Sequence, residues 1–349
     1  MASQPPSLPK TMRQLLQPSI HSPNLILTTA PVPIISSSDT GDVLVRVATC
    51  APCVGELLWA VNFPATIPTT KEMVPCQDLA GTVVTSPVPQ FQPGDRVFCR
   101  LDAARAGSAR EYAVAKVSEL AKIPEGLGWV DAAATPLSSL TAWQGLFVHG
   151  TLEVGGLKGD EGARKRNAGK RVLITGAAGG VGGWAVQLAS LAGAGGVVAV
   201  CGKGKEEKVR KLGATEVVDY TATSIEEWAA ADPGKREVDL VFDVVGGKSL
   251  AGCWAAVKEG GVILSVNTPP DMVKPAALEG KKKVEKSEFF IVEPLGSNLA
   301  EIAELVKEGK VKPVVDSVWP FDQFEKAFER LESGHGNGKI IIKVAEDVD

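Results

Sequence analysis

The sequence predicts an α/β chain in which a doubly wound parallel sheet follows an all-β module. Three observations carry this. The stretch Arg171–Ala189, RVLITGAAGGVGGWAVQLA, reads as a buried strand, a glycine turn and a helix. Strands and helices then alternate downstream at βαβ spacing, which demands parallel strands covered on both faces. Upstream lie short strands separated by Gly and Pro turns.

Taken in order, residues 1–20 are rich in proline and polar residues and predict a loose arm, with order beginning near Leu25. Strand composition follows at Leu25–Pro33, Asp42–Cys50, Ala80–Val84, Pro93–Phe98 and Arg110–Val117. Asp131–Phe147 reads as helical and carries the chain from one module to the next. His149–Lys170 mixes glycine and charge without periodicity, which predicts a solvated loop. After the glycine turn come strands at Val197–Gly202, Glu216–Tyr220, Val238–Gly247 and Gly261–Asn267, with helices at Glu206–Ala214 and near Leu250–Lys258. The run Lys281–Lys286, KKKVEK, is expected to be exposed. Beyond Glu288–Pro294, Asn298–Val311 and Pro320–Gly334 have helical spacing. The final strand, Gly338–Val344, is expected to return to the first module and close its edge.

The glycine turn is the candidate nucleotide site. Gly176, Gly179 and Gly182 form G-x-x-G-x-x-G, so backbone approaches a diphosphate closely while amides at the helix start face its charge. Ala178, Gly180 and Val181 lie in the same turn. Sites for NAD end their second strand with Asp or Glu, which binds the ribose hydroxyls. This strand ends Cys201-Gly202-Lys203-Gly204-Lys205, with Lys208 one turn on. Ammonium groups attract a 2′-phosphate that a carboxylate repels, so the expected cofactor is NADPH. Val245 and Asn267, at the ends of two later strands, join the candidate set.

Composition bounds the rest. A chain of 349 residues, 44% hydrophobic with 37 glycines, fits two domains with sizeable cores. A net charge of −4 implies no general attraction to nucleic acid or to an anionic membrane, and no apolar run is long enough to span a bilayer. The six cysteines (Cys50, Cys53, Cys76, Cys99, Cys201, Cys253) have no repeated zinc-site spacing and read as reduced core residues of a cytoplasmic protein. No acidic residue precedes Asp39, as in organelle transit peptides, but arginine is too sparse there, and a cytoplasmic location is expected.

Together the motifs APVP, DVLVRV, DLAGTVV, PGDRVF, EYAVA, AAATPLSSLTAW, VLITGAAGGVGGWAVQLA, KLGATEVVDY, FDVVGG and SGHGNGKIIIKV resemble the medium-chain dehydrogenase/reductase superfamily, in its zinc-free quinone oxidoreductase-like or enoyl reductase-like branch. The resemblance runs from about Leu25 to Val344. It implies a GroES-like catalytic domain built from residues 1–137 and 294–349, and a Rossmann NADPH-binding domain at 138–293. It also implies that Tyr220 sits by the adenosine phosphate, that Thr141 approaches the nicotinamide, and that Asn337 and Lys339 lie on a tail turn across the cofactor.

Zinc-dependent members carry a Cys at the position of Cys53 and G-H-E at the positions of Cys76-Gln77-Asp78. Here the histidine position is Gln77, the region 134–139 holds no Cys or His, and His21, His149 and His335 fall elsewhere, so no metal is expected. The turn Cys53-Val54-Gly55-Glu56 also departs from the Asn-Pro-x-Asp-like turn of the zinc-free branch. Cys53 reads as a packing or pocket-lining thiol or a nucleophile, and Tyr112 as a core tyrosine or a group near the substrate.

The expected reaction is hydride transfer from NADPH to an activated C=C bond or a quinone, on a small-molecule substrate, in a monomer or homodimer. Two rivals stay open. One is an enoyl reductase of secondary metabolism acting on carrier-protein-bound chains. The other is a nucleotide-binding protein of this fold with a non-redox cyclase or structural role.

Overall fold

The computed structural model describes residues 8–36, 41–334 and 336–346, so His335 and the first seven residues of the expected arm lie outside the described residues. The backbone divides into two compact units, one of Met1–Leu137, Pro294–Glu308 and Pro313–Asp349, the other of Ser138–Glu293 and Gly309–Lys312.

The first unit begins with an antiparallel ribbon of β1 (Thr11–Leu16) and β2 (Ile26–Pro31). Order therefore starts well before Leu25. Met12 and Leu15 bury their side chains, and the Leu15 amide donates to the Ala109 carbonyl at 2.8 Å, so two apolar anchors hold a segment whose composition is otherwise polar. There follow β3 (Asp42–Ala51), the short helix α1 (Trp59–Asn62), β4 (Asp78–Thr85), β5 (Arg96–Arg100), β6 (Tyr112–Lys116), β7 (Ala121–Lys122) and α2 (Trp129–Ala133).

Helix α3 (Pro136–Trp143), extended by a wide turn at Gln144–Val148, leads into the second unit. The segment 149–170 is not a solvated loop. It holds a 3₁₀ turn at Val154–Lys158 and α4 (Glu161–Asn167), capped by Asp160, whose carboxylate accepts the Ala163 amide at 3.0 Å. Asn167 is fully buried and ties the segment down, donating to the Glu153 and Ala192 carbonyls, both at 2.9 Å. A helix of two turns is too short for its one buried face to register as periodicity.

Then come β8 (Arg171–Ile174), α5 (Gly180–Leu191), β9 (Gly196–Cys201), α6 (Glu206–Lys211), β10 (Glu216–Asp219), α7 (Ile225–Ala230), β11 (Val238–Asp243), α8 (Gly247–Ala256), β12 (Val257–Ser265) and β13 (Lys286–Phe289). The six strands are parallel, in the order β10-β9-β8-β11-β12-β13. That is the doubly wound dinucleotide-binding order, whose direction reverses between β8 and β11. Strand residues such as Leu173, Val198, Val241 and Ile263 are fully buried because helices cover both faces, and on one face Trp254 and Cys253 of α8 pack against them.

The chain re-enters the first unit with α9 (Gly296–Lys307), β14 (Val315–Pro320), α10 (Phe324–Glu332) and β15 (Lys339–Lys343). β15 does return to the β module, but as an inner strand: the sheet runs β14-β15-β3-β4-β5-β7, with β6 also paired to β3. Helix α10 lays Phe324, Ala327, Phe328 and Leu331 onto that core at i, i+3, i+4 and i+7.

Candidate functional site

In the second unit the sheet's direction reverses where the glycine turn meets the end of β11. Gly176 has φ +56°, and a Cβ there would stand 2.8 Å from Val244. Gly182 lies so close beneath the turn that a Cβ would come within 2.3 Å of the Gly176 carbonyl oxygen. Gly179 caps α5 without a side-chain hydrogen bond, and no acid lies in the first turn of that 12-residue helix. The amides of Gly180 and Val181 thus form a helix N-terminus with positive partial charge, suited to a diphosphate.

A buried carboxylate fixes this geometry. Asp243 accepts the Thr175 hydroxyl at 2.7 Å and the Ser265 hydroxyl at 2.9 Å, and takes the Gly246 amide at 2.8 Å. Thr175 in turn accepts the Val244 amide at 2.9 Å, so the ends of β8, β11 and β12 are locked together. Val245 and Asn267 stand on those ends, Val245 exposed and the Asn267 amide held by Ser265 at 3.1 Å. Sequence reading missed Asp243. The only sign of it is a carboxylate that follows the apolar run Leu240, Val241 and Phe242 at the end of the strand.

The lysines gather on the same side. Lys208 donates to the carbonyl of Ala178, inside the glycine turn, at 2.8 Å. Lys203 is exposed and Lys205 half-buried on the turn after β9. Tyr220, exposed after β10, lays its ring against Gly202, where a Cβ would meet the phenol oxygen at 2.9 Å. Asp219, at the end of β10, is held below the usual carboxylate range by the hydroxyl and amide of Thr221. The structure thus brings Gly176, Ala178, Gly179, Gly180, Val181, Gly182, Lys203, Lys205, Lys208, Tyr220, Val245 and Asn267 to the C-terminal edge of one sheet. Thr141 is buried on α3.

In the first unit a buried polar cluster surrounds the turn after β3. Lys339, the first residue of β15, points inward: its ammonium lies 2.7 Å from Asp78 Oδ2 and donates to the Pro52 carbonyl at 2.9 Å. Asp78 Oδ1 accepts the Leu137 amide at 2.6 Å. Burial pulls Lys339 down and the charge of Asp78 lifts it further, leaving it above an ordinary lysine. Burial also pushes the Cys53 thiol up to about 12 and the Glu56 carboxyl up to about 7, although Glu56 accepts the Cys76 amide at 3.0 Å. Cys76 is the one non-glycine residue with positive φ among the described residues, at +68°.

Tyr112 is not part of this cluster. It pairs with Arg46 on β3 and packs with Met12, Val32 and Leu44, while Cys53 follows the far end of the same strand. Arg46 to Cys50 alone spans about 13 Å of extended chain. Asn337 sits on the tail turn, its amide donating to Asp316 at 2.7 Å.

A zinc ion would require three donors in this first-unit cluster. Oriented to satisfy its neighbours, the Gln77 amide nitrogen donates to the Leu101 and Asp102 carbonyls at 3.2 Å, and Asp78 is engaged by Lys339 and Leu137. Among the described residues no group of three or more His, Cys, Asp or Glu side chains is arranged to hold a metal. The donor set does not fit zinc.

Fold and second-unit site together define an oxidoreductase that uses a nicotinamide cofactor. The family models agree: residues 39–125 match the alcohol dehydrogenase GroES-like domain, and residues 212–342 match a zinc-binding dehydrogenase domain. The chain is 45% identical over 97% of its length, and 98% of the relative's, to the "Probable zinc-binding oxidoreductase, mitochondrial" of Arthroderma benhamiae. It is 36% identical to the chloroplast envelope quinone oxidoreductase homolog of Arabidopsis thaliana, over 79% of this chain and 82% of that one. It is 33% identical to the mitochondrial NAD(P)H oxidoreductase RTN4IP1 of Danio rerio, over 78% and 72%. Its backbone matches that of the quinone oxidoreductase from Coxiella burnetii with a TM-score of 0.76 over 96% of this chain and 100% of that one, at 23% identity, a likeness of fold.

The chain belongs to the medium-chain dehydrogenase/reductase superfamily, in its quinone oxidoreductase-like branch. The expectation of a cytoplasmic location is overturned, since two of these relatives are named as mitochondrial. Cysteine usage could not have decided this, because reduced, buried thiols suit either compartment.

Proposed function

We propose that this chain is an NADPH-dependent reductase that delivers hydride to a quinone or an activated C=C bond without a metal. The observation that carries the reading is the row of ammonium groups beside the glycine turn. Lys203 and Lys205 follow β9 where an NAD site places a carboxylate, and Lys208 is anchored on the Ala178 carbonyl. When bound, NADPH supplies the hydride.

The chain's own residues do the rest. The glycine turn and the α5 N-terminus hold the diphosphate, the lysines hold the 2′-phosphate, and Tyr220 flanks the adenosine side. Asp243 keeps the strand ends under the cofactor in register through Thr175 and Ser265. An enone or quinone suits a site without a metal, because its electrophilic carbon needs positioning more than Lewis-acid activation. The domain limits 1–137 plus 294–349 and 138–293, with Asn337 beside the cofactor and Thr141 near the nicotinamide, belong to the same proposal. A mitochondrial setting, as for the named relatives, completes it.

The test is binding followed by turnover. NADPH should quench tryptophan emission at concentrations at least tenfold below NADH, and Lys203→Glu with Lys205→Glu should erase the difference. NADPH absorbance should fall with quinones or 2-alkenals as acceptors. Equal affinity for both cofactors, or tight binding with no oxidation across the panel, refutes the reading.

A further inference from the structure

We infer that Lys339 is the resident cation of the first unit's buried cluster, an ammonium set against Asp78 beside the residues that match ligand positions of zinc-dependent members of the superfamily, so that this chain loads no zinc there. The inference rests on the metal-free reading above and adds which cation the cluster holds. It also sets the chain apart from the zinc-binding description of one family model and of its 45%-identical relative.

The geometry leaves little for a metal to use. Asp78 is fully buried, with one oxygen on the Leu137 amide and the other facing an ammonium at 2.7 Å whose side chain is 8% exposed. Pro52, the residue before Cys53, gives its carbonyl to the same ammonium, so the lysine also pins the turn that presents the thiol. A second buried cation, Arg100, is paired with Asp78 in the β4–β5 register. Gln77 is spent on the carbonyls of 101 and 102. What remains is the Cys53 sulfur, one unpartnered oxygen of Glu56 and the buried Cys76 thiol, itself paired with Cys50, and among the described residues no three such side chains are arranged to hold a metal beside these two positive charges. A divalent ion needs at least three donors, and here it would have to displace a lysine from a carboxylate that the same lysine neutralises.

The experiment uses the full chain purified without chelator. Elemental analysis should find zinc below about 0.1 equivalent per chain, and Co²⁺ titration should give no thiolate-to-metal absorption. Lys339→Met should lower Tm by several degrees, and adding Asp78→Asn should restore more than half of the loss, since the double variant removes the ammonium and the carboxylate it faces together while Arg100 keeps Asp102 and Glu119 as counter-charges. If Lys339→Met alone does not fold, a double variant that does fold supports the role of the lysine equally, and failure of both to fold overturns the inference.

One equivalent of zinc that disappears in Cys53→Ser or Asp78→Asn overturns the inference and the metal-free reading together. Zinc retained in both variants overturns the metal-free reading alone. Lys339→Met as stable as the wild type, or no recovery on adding Asp78→Asn, overturns the role given to the lysine.

Discussion

At Gly182 a Cβ would sit 2.3 Å from the Gly176 carbonyl oxygen and 2.7 Å from Ala177 Cα, both backbone atoms that cannot swing aside. Gly182→Ala must therefore lift the glycine turn off α5. We expect NADPH affinity to fall at least tenfold and stability by about 1–3 kcal/mol, read by fluorescence titration and denaturant unfolding. Cys53 gives a second residue-scale outcome. With its thiol pushed up to about 12 by burial, the thiolate that alkylates is nearly absent at pH 7.5. Iodoacetamide should leave Cys53 unmodified in the folded protein, while the unfolded chain takes up six equivalents by mass. Alkylation of native Cys53 at the rate of a free cysteine would contradict its placement. The glycine turn was legible in the sequence because its spacing is local. Asp243 and Lys339 were not: Asp243 meets Thr175 68 positions away, and the lysine expected on a tail turn across the cofactor meets the carbonyl of Pro52 287 positions away.

Among the elements, β14 and α10 are joined by Arg330, which holds Asp316 through two oxygens at 2.7 and 2.9 Å. The guanidinium, with help from the Asn337 amide, brings Asp316 down to about 2. A carboxyl depressed in the folded state adds stability above its unfolded pKa, and that stability fades as pH falls toward the folded value. Asp316→Asn should cost about 1–2 kcal/mol at pH 7 and progressively less from about pH 4 to 2. A cost independent of pH in that window would show that the ion pair is not its source. The same scale shows why some elements escaped sequence reading. Helix α7 carries a capping box, Ser224 and Glu227 each bonding the other's backbone, written plainly as S-I-E-E but hidden in a run of small and polar residues. Helix α4 escaped because its fixing contacts, from Asn167 to Glu153 and Ala192, are tertiary. The parallel strands were legible because burial on both faces writes apolar runs such as Val197–Val200 directly into the chain.

Over the whole molecule, the first unit is built from both ends of the chain, and its continuity depends on one late strand. β15 lies between β14 and β3, hydrogen-bonding to both, and brings Ile340 and Ile342 into the core along with the Lys339 ammonium. A chain ending at Gly338 would lose these buried side chains, worth roughly 1.5–3 kcal/mol each, and would leave Asp78 without the ammonium it faces and β3 with an open edge. The second unit has its own apolar core, centred on Leu173, Val241, Ile263 and Trp254, and owes nothing in that core to β15. Limited trypsin digestion of the shortened chain should therefore degrade residues from both ends while a fragment covering most of 138–293 resists, as mass spectrometry would show. Equal resistance of both units, or equal loss of both, would mean that the last strand does not carry the cohesion of the first.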